Sequence, residues 1–372
     1  MTFYFSAGEL ARRRAATLAL AENAGCFGVV AFGENRSGVA VTYLTEWPVT
    51  RGAIFLLTSR ICELWVSFHN HVPAASRKAQ VDSVRDIAGG YLKEVFAPFS
   101  AGDSVATLGP IPIPVAQYAA DNGFRLVPID REHATERLIK SAEEIEALHK
   151  GAAASDIGAL ALIDACKPGA SDWDLLAAAK GAYTAAGALD HICYISVTDM
   201  ANPDRDVPSQ FPEGRIVAKT SMVTFELSAS AVSEYPGQIL RSVLLSDPTD
   251  EVLALSAVAE ECKALIKRKI APGVSSTVLA EISDMIEQHG YTTTDDLFHG
   301  FGMGYLEPIA TSRTRVPVHV PTLVLREGMA IVVQPNVTTQ DHRIGVQTGE
   351  LVVVDAKGAR DLHTLPTGLV RL

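Results

Sequence analysis

The chain repeats its own punctuation once. Ile163-Asp164-Ala165-Cys166-Lys167-Pro168-Gly169-Ala170-Ser171 begins one copy, and Lys269-Ile270-Ala271-Pro272-Gly273-Val274-Ser275-Ser276 begins the other. In each copy a helical stretch ends at Pro-Gly, a serine opens a second helix, and a glycine closes it: Gly187 in the first, Gly290 in the second. Proline cannot continue a helix, serine supplies an N-cap oxygen, and glycine takes the left-handed conformation that ends a helix. Strand-like runs follow each pair. Two copies of this length are too few for a solenoid. The pattern predicts a pseudo-twofold α+β domain built on a central curved sheet.

With 372 residues, 48% of them hydrophobic, the chain is long enough for two domains with full cores. Mean hydropathy is +0.16, but no run of eighteen apolar residues free of charge occurs, so no membrane span is expected. The Ala-rich start, with Arg12, Arg13 and Arg14, lacks a signal-type apolar core, so export is not expected. The arginine triplet reads as a solvated helix face. Cys26, Cys62, Cys166, Cys193 and Cys262 are odd in number and show no CxxC spacing, which fits buried free thiols in a reducing cytosol. A net charge of −11 repels phosphate backbones, so nucleic acid is not expected as a partner.

The first third reads as a layered α/β domain over residues 1–135, followed by a second domain over 136–372. A helix is expected near 7–24, with further helical stretches near 76–97 and 114–122. Apolar runs at Phe27 to Phe32, Ala53 to Leu57, Leu64 to Phe68, Ser104 to Leu108 and Arg125 to Pro128 are the expected strands. At the domain boundary Ser141 precedes Glu144 by three residues, a capping box that opens a long helix.

Several motifs, in order and spacing, then resemble the creatinase/aminopeptidase P/methionine aminopeptidase (M24) superfamily, the pita-bread fold. Arg137 to Ile145 resembles its R-x-I-K-S-x-E-E-I entry to the catalytic domain. Pro208 to Arg215 with Val223 to Leu227 is similar to P-H-x-x-P-x-x-R followed by V-x-x-D. His299-Gly300-Phe301-Gly302 matches H-G-x-G, and Glu327-Gly328-Met329 through Gln334-Pro335 is similar to E-G-M-x-x-x-x-E-P. Tyr43 to Trp47 resembles the Y-L-T-G-F stretch of the first domain. The resemblance implies a pita-bread domain preceded by a smaller α/β domain. It also implies a homodimer in which one subunit's first domain approaches the other's site.

Metallopeptidases of this superfamily place two Asp, one His and two Glu around two divalent ions. Here those slots hold Glu226, Gln238, His299, Gln334 and Gly349, with Glu350 beside the last. Ser209 stands where a catalytic His is usual, and Leu306 where a second His is usual. Two divalent ions need several anionic ligands, and a buried charge deficit costs several kcal/mol per ion. The expectation is therefore a protein that takes no metal and no cofactor, and is not a dinuclear metallopeptidase.

The remaining chemistry is acid/base. His299, Glu226 and Glu307 are the candidate catalytic groups. Gln238, Arg241, Tyr305 and Gln334 are candidate substrate contacts. Arg51 falls about where creatinase places a substrate-binding Arg, and His69 and His71, read as flanking Asn70 on one face of a strand end, are candidates to complete a partner's pocket. Each has a plainer reading: Glu226 paired with Arg241, the glutamines as satisfied buried amides, Glu307 at a turn before Pro308. No nucleophile elbow, P-loop, HExxH or dinucleotide fingerprint is present. The expected function is a cytoplasmic, metal-independent acid/base enzyme on a small molecule, favoured as a lyase that eliminates or cleaves a carbon–carbon bond. The alternatives are a creatinase-like C–N hydrolase and a non-catalytic peptide- or protein-binding pseudo-peptidase.

Overall fold

The structure is a computed structural model that describes residues 4–312 and 322–372. It divides into two compact units, Met1–Arg137 and Leu138–Leu372.

In the first unit, β1 (Val29–Gly33), β2 (Ala53–Leu57), β3 (Cys62–Val66), β4 (Ser83–Asp86), β5 (Ser104–Leu108) and β6 (Arg125–Pro128) form one sheet in the order β4-β3-β2-β1-β5-β6. β1, β2 and β5 are buried along their whole length, which is why they read as unbroken apolar runs. Trp65, Phe96, Phe99 and Val105 pack on one face. The helical stretch expected over 76–97 is instead Val72–Lys78, then β4, then Tyr91–Val95. β4 was hidden because Ser83, Arg85 and Asp86 are polar and it lies at the sheet edge, where burial imposes no apolar pattern. The arginine triplet is no solvated face. Arg13 is fully buried; its Nε donates to Glu9 Oε1 at 2.7 Å, its Nη1 donates to the Tyr43 carbonyl at 3.0 Å, and its guanidinium lies over the Phe5 and Tyr43 rings.

The second unit is α+β, with a curved sheet of pita-bread type. Its strands are β7 (Leu189–Asp199), β8 (Ser221–Val232), β9 (Tyr235–Leu244), β10 (Tyr291–Thr292), β11 (Phe298–Gly302), β12 (Gly304–Ala310), β13 (Ala330–Val333), β14 (Val337–Thr339), β15 (Gly345–Val346), β16 (Gly349–Asp355), β17 (Gly358–Asp361) and β18 (Val370–Arg371). The main sheet runs β12-β11-β13-β16-β9-β8-β7, with β17 on β16 and β18 on β9; β10, β14 and β15 form a small separate sheet. Ser141 and Glu144 make the expected capping box at the start of the helix Ala142–Ala165.

The repeat is visible down to single hydrogen bonds. Gly169 donates its N–H to the Val217 carbonyl, and Gly273 donates to Leu325; Val217 returns a bond to Ala170, and Leu325 to Val274. Both glycines are left-handed, at φ +98° and +90°. Ser171 caps Asp172–Ala185 and Ser275 caps Ser276–Glu281, each accepting from a first-turn N–H. In the first copy Val223, Phe225 and Leu227 of β8 and Ile239 and Val243 of β9 point toward the helices, into a core with Leu162, Leu175 and Tyr183. The period of two therefore sends Thr224, Glu226, Ser228 and Gln238 to the other face. Among the described residues no helix is long and apolar enough to cross a membrane.

Candidate active site

The polar face of β8 and β9 carries the site. Register pairs Glu226 with Leu240 on one side and Tyr194 on the other, and Ser228 with Gln238. Glu226, Gln238, His299 and Gln334 are all buried. Gln238 Nε2 donates to Glu226 Oε1 at 2.8 Å and to Gln334 Oε1 at 2.7 Å. Gln334 Nε2 passes on to Asp295 Oδ2 at 3.1 Å, which also accepts from Asn336 Nδ2 at 2.9 Å. Gln347 Nε2 reaches the second oxygen of Glu226 at 3.4 Å. Two carboxylates are thus joined through two carboxamides.

Burial raises Glu226 to about 8, and the nearby charges of Asp295 and Asp296 push the same way against the Gln347 bond. His299 goes the other way: burial holds its imidazole down to about 4, so the ring is neutral at neutral pH. Its Nδ1 sits 3.1 Å from the Gly300 carbonyl, and hydrogen bonds with that carbonyl and with the Gln334 side chain work against the effect of burial. Tyr305 stacks on the imidazole with ring centroids 3.9 Å apart. Burial raises the Tyr305 phenol, as do the charges of Glu226, Asp295 and Asp296. β11 carries a register break between His299 and Gly300, where the Glu307 carbonyl of β12 comes so close that a Cβ on Gly300 would lie 2.2 Å from it.

Five of the expected residues thus converge: Glu226, Gln238, His299, Gln334 and Tyr305. Arg241 does not join them. It pairs with Phe225 across β8, so it points to the opposite face, where it binds Glu350 Oε2 at 2.7 Å and the carbonyls of Gly349, Leu365 and Pro366. The plainer reading of a Glu226–Arg241 pair is corrected accordingly: strand alternation separates the two, and the partner is Glu350. Glu307 is exposed on β12, before a cis Pro308. Ser209 Oγ reaches only the Phe211 carbonyl, at 3.4 Å.

Arg51, His69 and His71 belong to the first unit. Arg51 Nη1 donates to Asn35 Oδ1 at 3.3 Å. The two histidines do not alternate on a strand; they lie on a 3₁₀ turn, His69–His71. His69 Nδ1 is 3.8 Å from Asp86 Oδ2, and His71 Nδ1 is 3.4 Å from Thr50 Oγ1. The residues that sequence reasoning missed are Asp295 and Asp296. Their signal was present, an acidic pair three and four positions before His299, but nothing in the motif marks it.

The resemblance implies two divalent ions, and the five slots as folded do not fit them. Gln238 and Gln334 spend their amides on each other and on carboxylates. A Cβ at Gly349 would meet the Val333 carbonyl at 2.7 Å and Gln334 Cα at 2.9 Å, so no side chain fits there. The adjacent carboxylate, Glu350, serves Arg241 and Lys267 on the other face. Among the described residues no three His, Cys, Asp or Glu side chains gather as a metal site.

Comparison with known proteins sets this site in a family. Residues 146–356 match the family model described as metallopeptidase family M24. The chain is 25% identical over 261 residues to the uncharacterized peptidase YqhT of Bacillus subtilis, covering 66% of this chain and 68% of that one. It is 23% identical over 230 residues to the Xaa-Pro dipeptidase of Pyrococcus furiosus, covering 61% and 63%. Among solved structures, the Xaa-Pro dipeptidase from Bacillus anthracis superposes with a TM-score of 0.82 at 17% identity, covering 98% of this chain and all (100%) of that one. Dipeptidase PepE from Mycobacterium ulcerans gives 0.80 at 21% identity, covering 99% of each. The expectation of a metal-independent lyase is overturned, because the family is one of metallopeptidases and these relatives are named peptidases and dipeptidases. The denial of a dinuclear metallopeptidase is overturned on the same finding, since the matching family model is one of metallopeptidases. With the match extending over more than half of its residues, the chain belongs to metallopeptidase family M24.

Proposed function

We propose that the chain hydrolyses the C–N bond of a small peptide-like substrate. The observation that carries this reading is Glu226: a buried carboxyl, held by the carboxamides of Gln238 and Gln347, whose affinity for a proton lies close to neutrality. A general base or acid works best when its pKa lies near the working pH. In its ionised form Glu226 takes a proton from water as the water oxygen bonds to the substrate carbonyl carbon. The C–N bond then breaks, and the proton passes to the leaving nitrogen. The Tyr305 phenol, kept protonated by its surroundings, is the proposed donor to the developing oxyanion. His299, neutral and stacked on Tyr305, fixes that ring. Family membership and the peptidase names of the relatives support the same bond class.

Arg51, His69 and His71 are proposed substrate contacts supplied across a homodimer, a role that suits the exposed positions of Arg51 and His69 and the half-buried one of His71. Five free cysteines suit a reducing compartment. A second reading, peptide binding without turnover, is favoured by one observation: the Gln238–Gln334 bridge fills two slots with amides bonded to each other.

The test is a panel of dipeptides, with and without proline in second position, incubated with the protein in chelator and in added manganese, zinc or cobalt. Release of free amino acids is expected, falling by roughly 10²–10⁴-fold in Glu226→Gln. Saturable calorimetric binding of dipeptides with no release under any condition would establish the second reading instead.

A further inference from the structure

The helix Ala142–Ala165 turns an apolar seam to solvent. From residue 150 to residue 164 its exposed positions are Lys150, Ala153, Ile157, Leu160 and Asp164, and the residues between them are buried, apart from half-buried Ala161. The steps alternate three and four, the spacing of a coiled-coil seam. Ile157 is 43% exposed and Leu160 50%, on a face where a solvated helix ordinarily carries polar and charged residues. The buried side packs on β8, β9 and the helix Asp172–Ala185. Inside the stretch the charged side chain of Asp156 is buried and committed to His363 and Thr364, so it does not reach the seam.

Charge decides what covers this face. Lys150 and Asp164 lie seven residues to either side of Ile157 and have opposite sign. A second copy laid antiparallel, with Ile157 on the twofold axis, sets Lys150 against Asp164 at both ends and seats Leu160 of each copy by Ala153 of the other. Glu146, which pairs with Lys150 at 3.7 Å, then faces the turn that carries Lys167. Other registers oppose like charges. A parallel pair sets Lys150 on Lys150 and Asp164 on Asp164. An antiparallel pair with Ile157 on Leu160 brings Lys150 to Lys167, and one with Ile157 on Ala153 brings Asp164 to Glu146. Repulsion of that kind selects one register from several with the same apolar contact.

We propose that this seam is a contact between two copies of the chain, an antiparallel pairing of the Ala142–Ala165 helices about a twofold axis at Ile157. It uses neither the hydrolytic site nor the first-unit residues named above, and it is independent of both.

The test is made on the full chain. Facing Cα atoms at a close helix contact on a twofold axis lie within about 7 Å, near enough for a disulfide. Ile157→Cys is expected to give a covalent dimer under copper–phenanthroline oxidation, read by non-reducing electrophoresis. Lys150→Cys, whose symmetry mate would lie roughly 21 Å away, is not, and neither is the wild type with its native cysteines. In sedimentation velocity Lys150→Glu and Asp164→Lys are each expected to weaken self-association by about tenfold, and the double variant Lys150→Glu/Asp164→Lys to restore it. These substitutions lie on the exposed face and leave the core untouched. Absence of the Ile157→Cys dimer, or association that ignores the charge variants, would overturn the inference and leave the seam to a partner of different sequence.

Discussion

Arg241 Nη2 donates to Glu350 Oε2 at 2.7 Å, with both side chains buried behind the strand that bears Gln238. The same guanidinium holds the carbonyls of Leu240, Gly349, Leu365 and Pro366. It therefore ties β9, β16 and the C-terminal segment together. Arg241→Met leaves those carbonyls without their donor and Glu350 with Lys267 as its remaining ion-pair partner, so a loss of about 3–5 kcal/mol is expected in urea unfolding. The double variant Arg241→Met/Glu350→Met is expected to recover part of the loss. A single-variant effect under about 1 kcal/mol would show the clamp to be incidental.

Glu226 and Glu350 give pH dependences of opposite sign. Burial tends to raise Glu350, but Arg241, Lys263 and Lys267 outweigh it and hold its carboxyl down at about 2. Its contribution is therefore complete above its ordinary value of 4.5 and is lost as pH falls from there toward about 2. Glu226, raised to about 8, contributes fully below 4.5, and that contribution is lost as pH climbs through about 8. Glu226→Gln is expected to flatten the alkaline decline while leaving the acid limb in place, as measured by urea midpoints at about pH 5 and about pH 9. An unchanged alkaline slope in the variant would contradict the raised carboxyl.

Gly349 has no room for a methyl group, because its Cβ would lie 2.7 Å from the Val333 carbonyl and 2.9 Å from Gln334 Cβ. The obstacle is largely backbone, so it cannot swing aside. Gly349→Ala is expected to cost about 1–3 kcal/mol and to perturb the Gln238–Gln334 bond. Thermal melts followed by circular dichroism give the first quantity, and a neutral substitution would mean that β13 and β16 separate readily.

Asp156 fixes the last segment of the chain to the helix Ala142–Ala165. It accepts from His363 Nδ1 at 2.7 Å, the Thr364 N–H at 2.7 Å and Thr364 Oγ1 at 2.9 Å. Asp156→Ala is expected to cost about 2 kcal/mol and to speed hydrogen exchange at the Thr364 amide. Exchange at the wild-type rate would place the attachment elsewhere.

The repeat was legible because Pro-Gly and the capping serines are local chemistry, fixed by a few neighbouring residues. In the first unit β1, β2 and β5 were legible because they are buried throughout, and edge strand β6 through its apolar Leu126 and Val127, whereas β4, polar at three of its four positions, was not. Arg13 was misread for a related reason: a buried arginine looks like an exposed one until Glu9 and the Tyr43 ring are brought to it by the fold. Glu226, Gln238, His299 and Gln334 were found from motif positions. The direction in which Arg241 points was not, since it depends on the pairing of β9 with β8. Asp295 was missed because its partners, Gln334 and Asn336, lie about forty positions away.

The two repeats of the second unit meet where β9 joins β16, over two register pairs, Gly349 with Leu240 and Glu350 with Ile239. Glu226 and Gln238 come from one side of that seam, and His299, Asp295 and Gln334 from the other. If the polypeptide were severed in the Ser246-Asp247-Pro248 connection, each piece would retain its own helix pair and part of the sheet, and neither would hold a complete cluster. Complementation between separately produced fragments would therefore depend on that short junction and its arginine clamp, and recovery of ligand binding would measure how faithfully the two pieces rejoin.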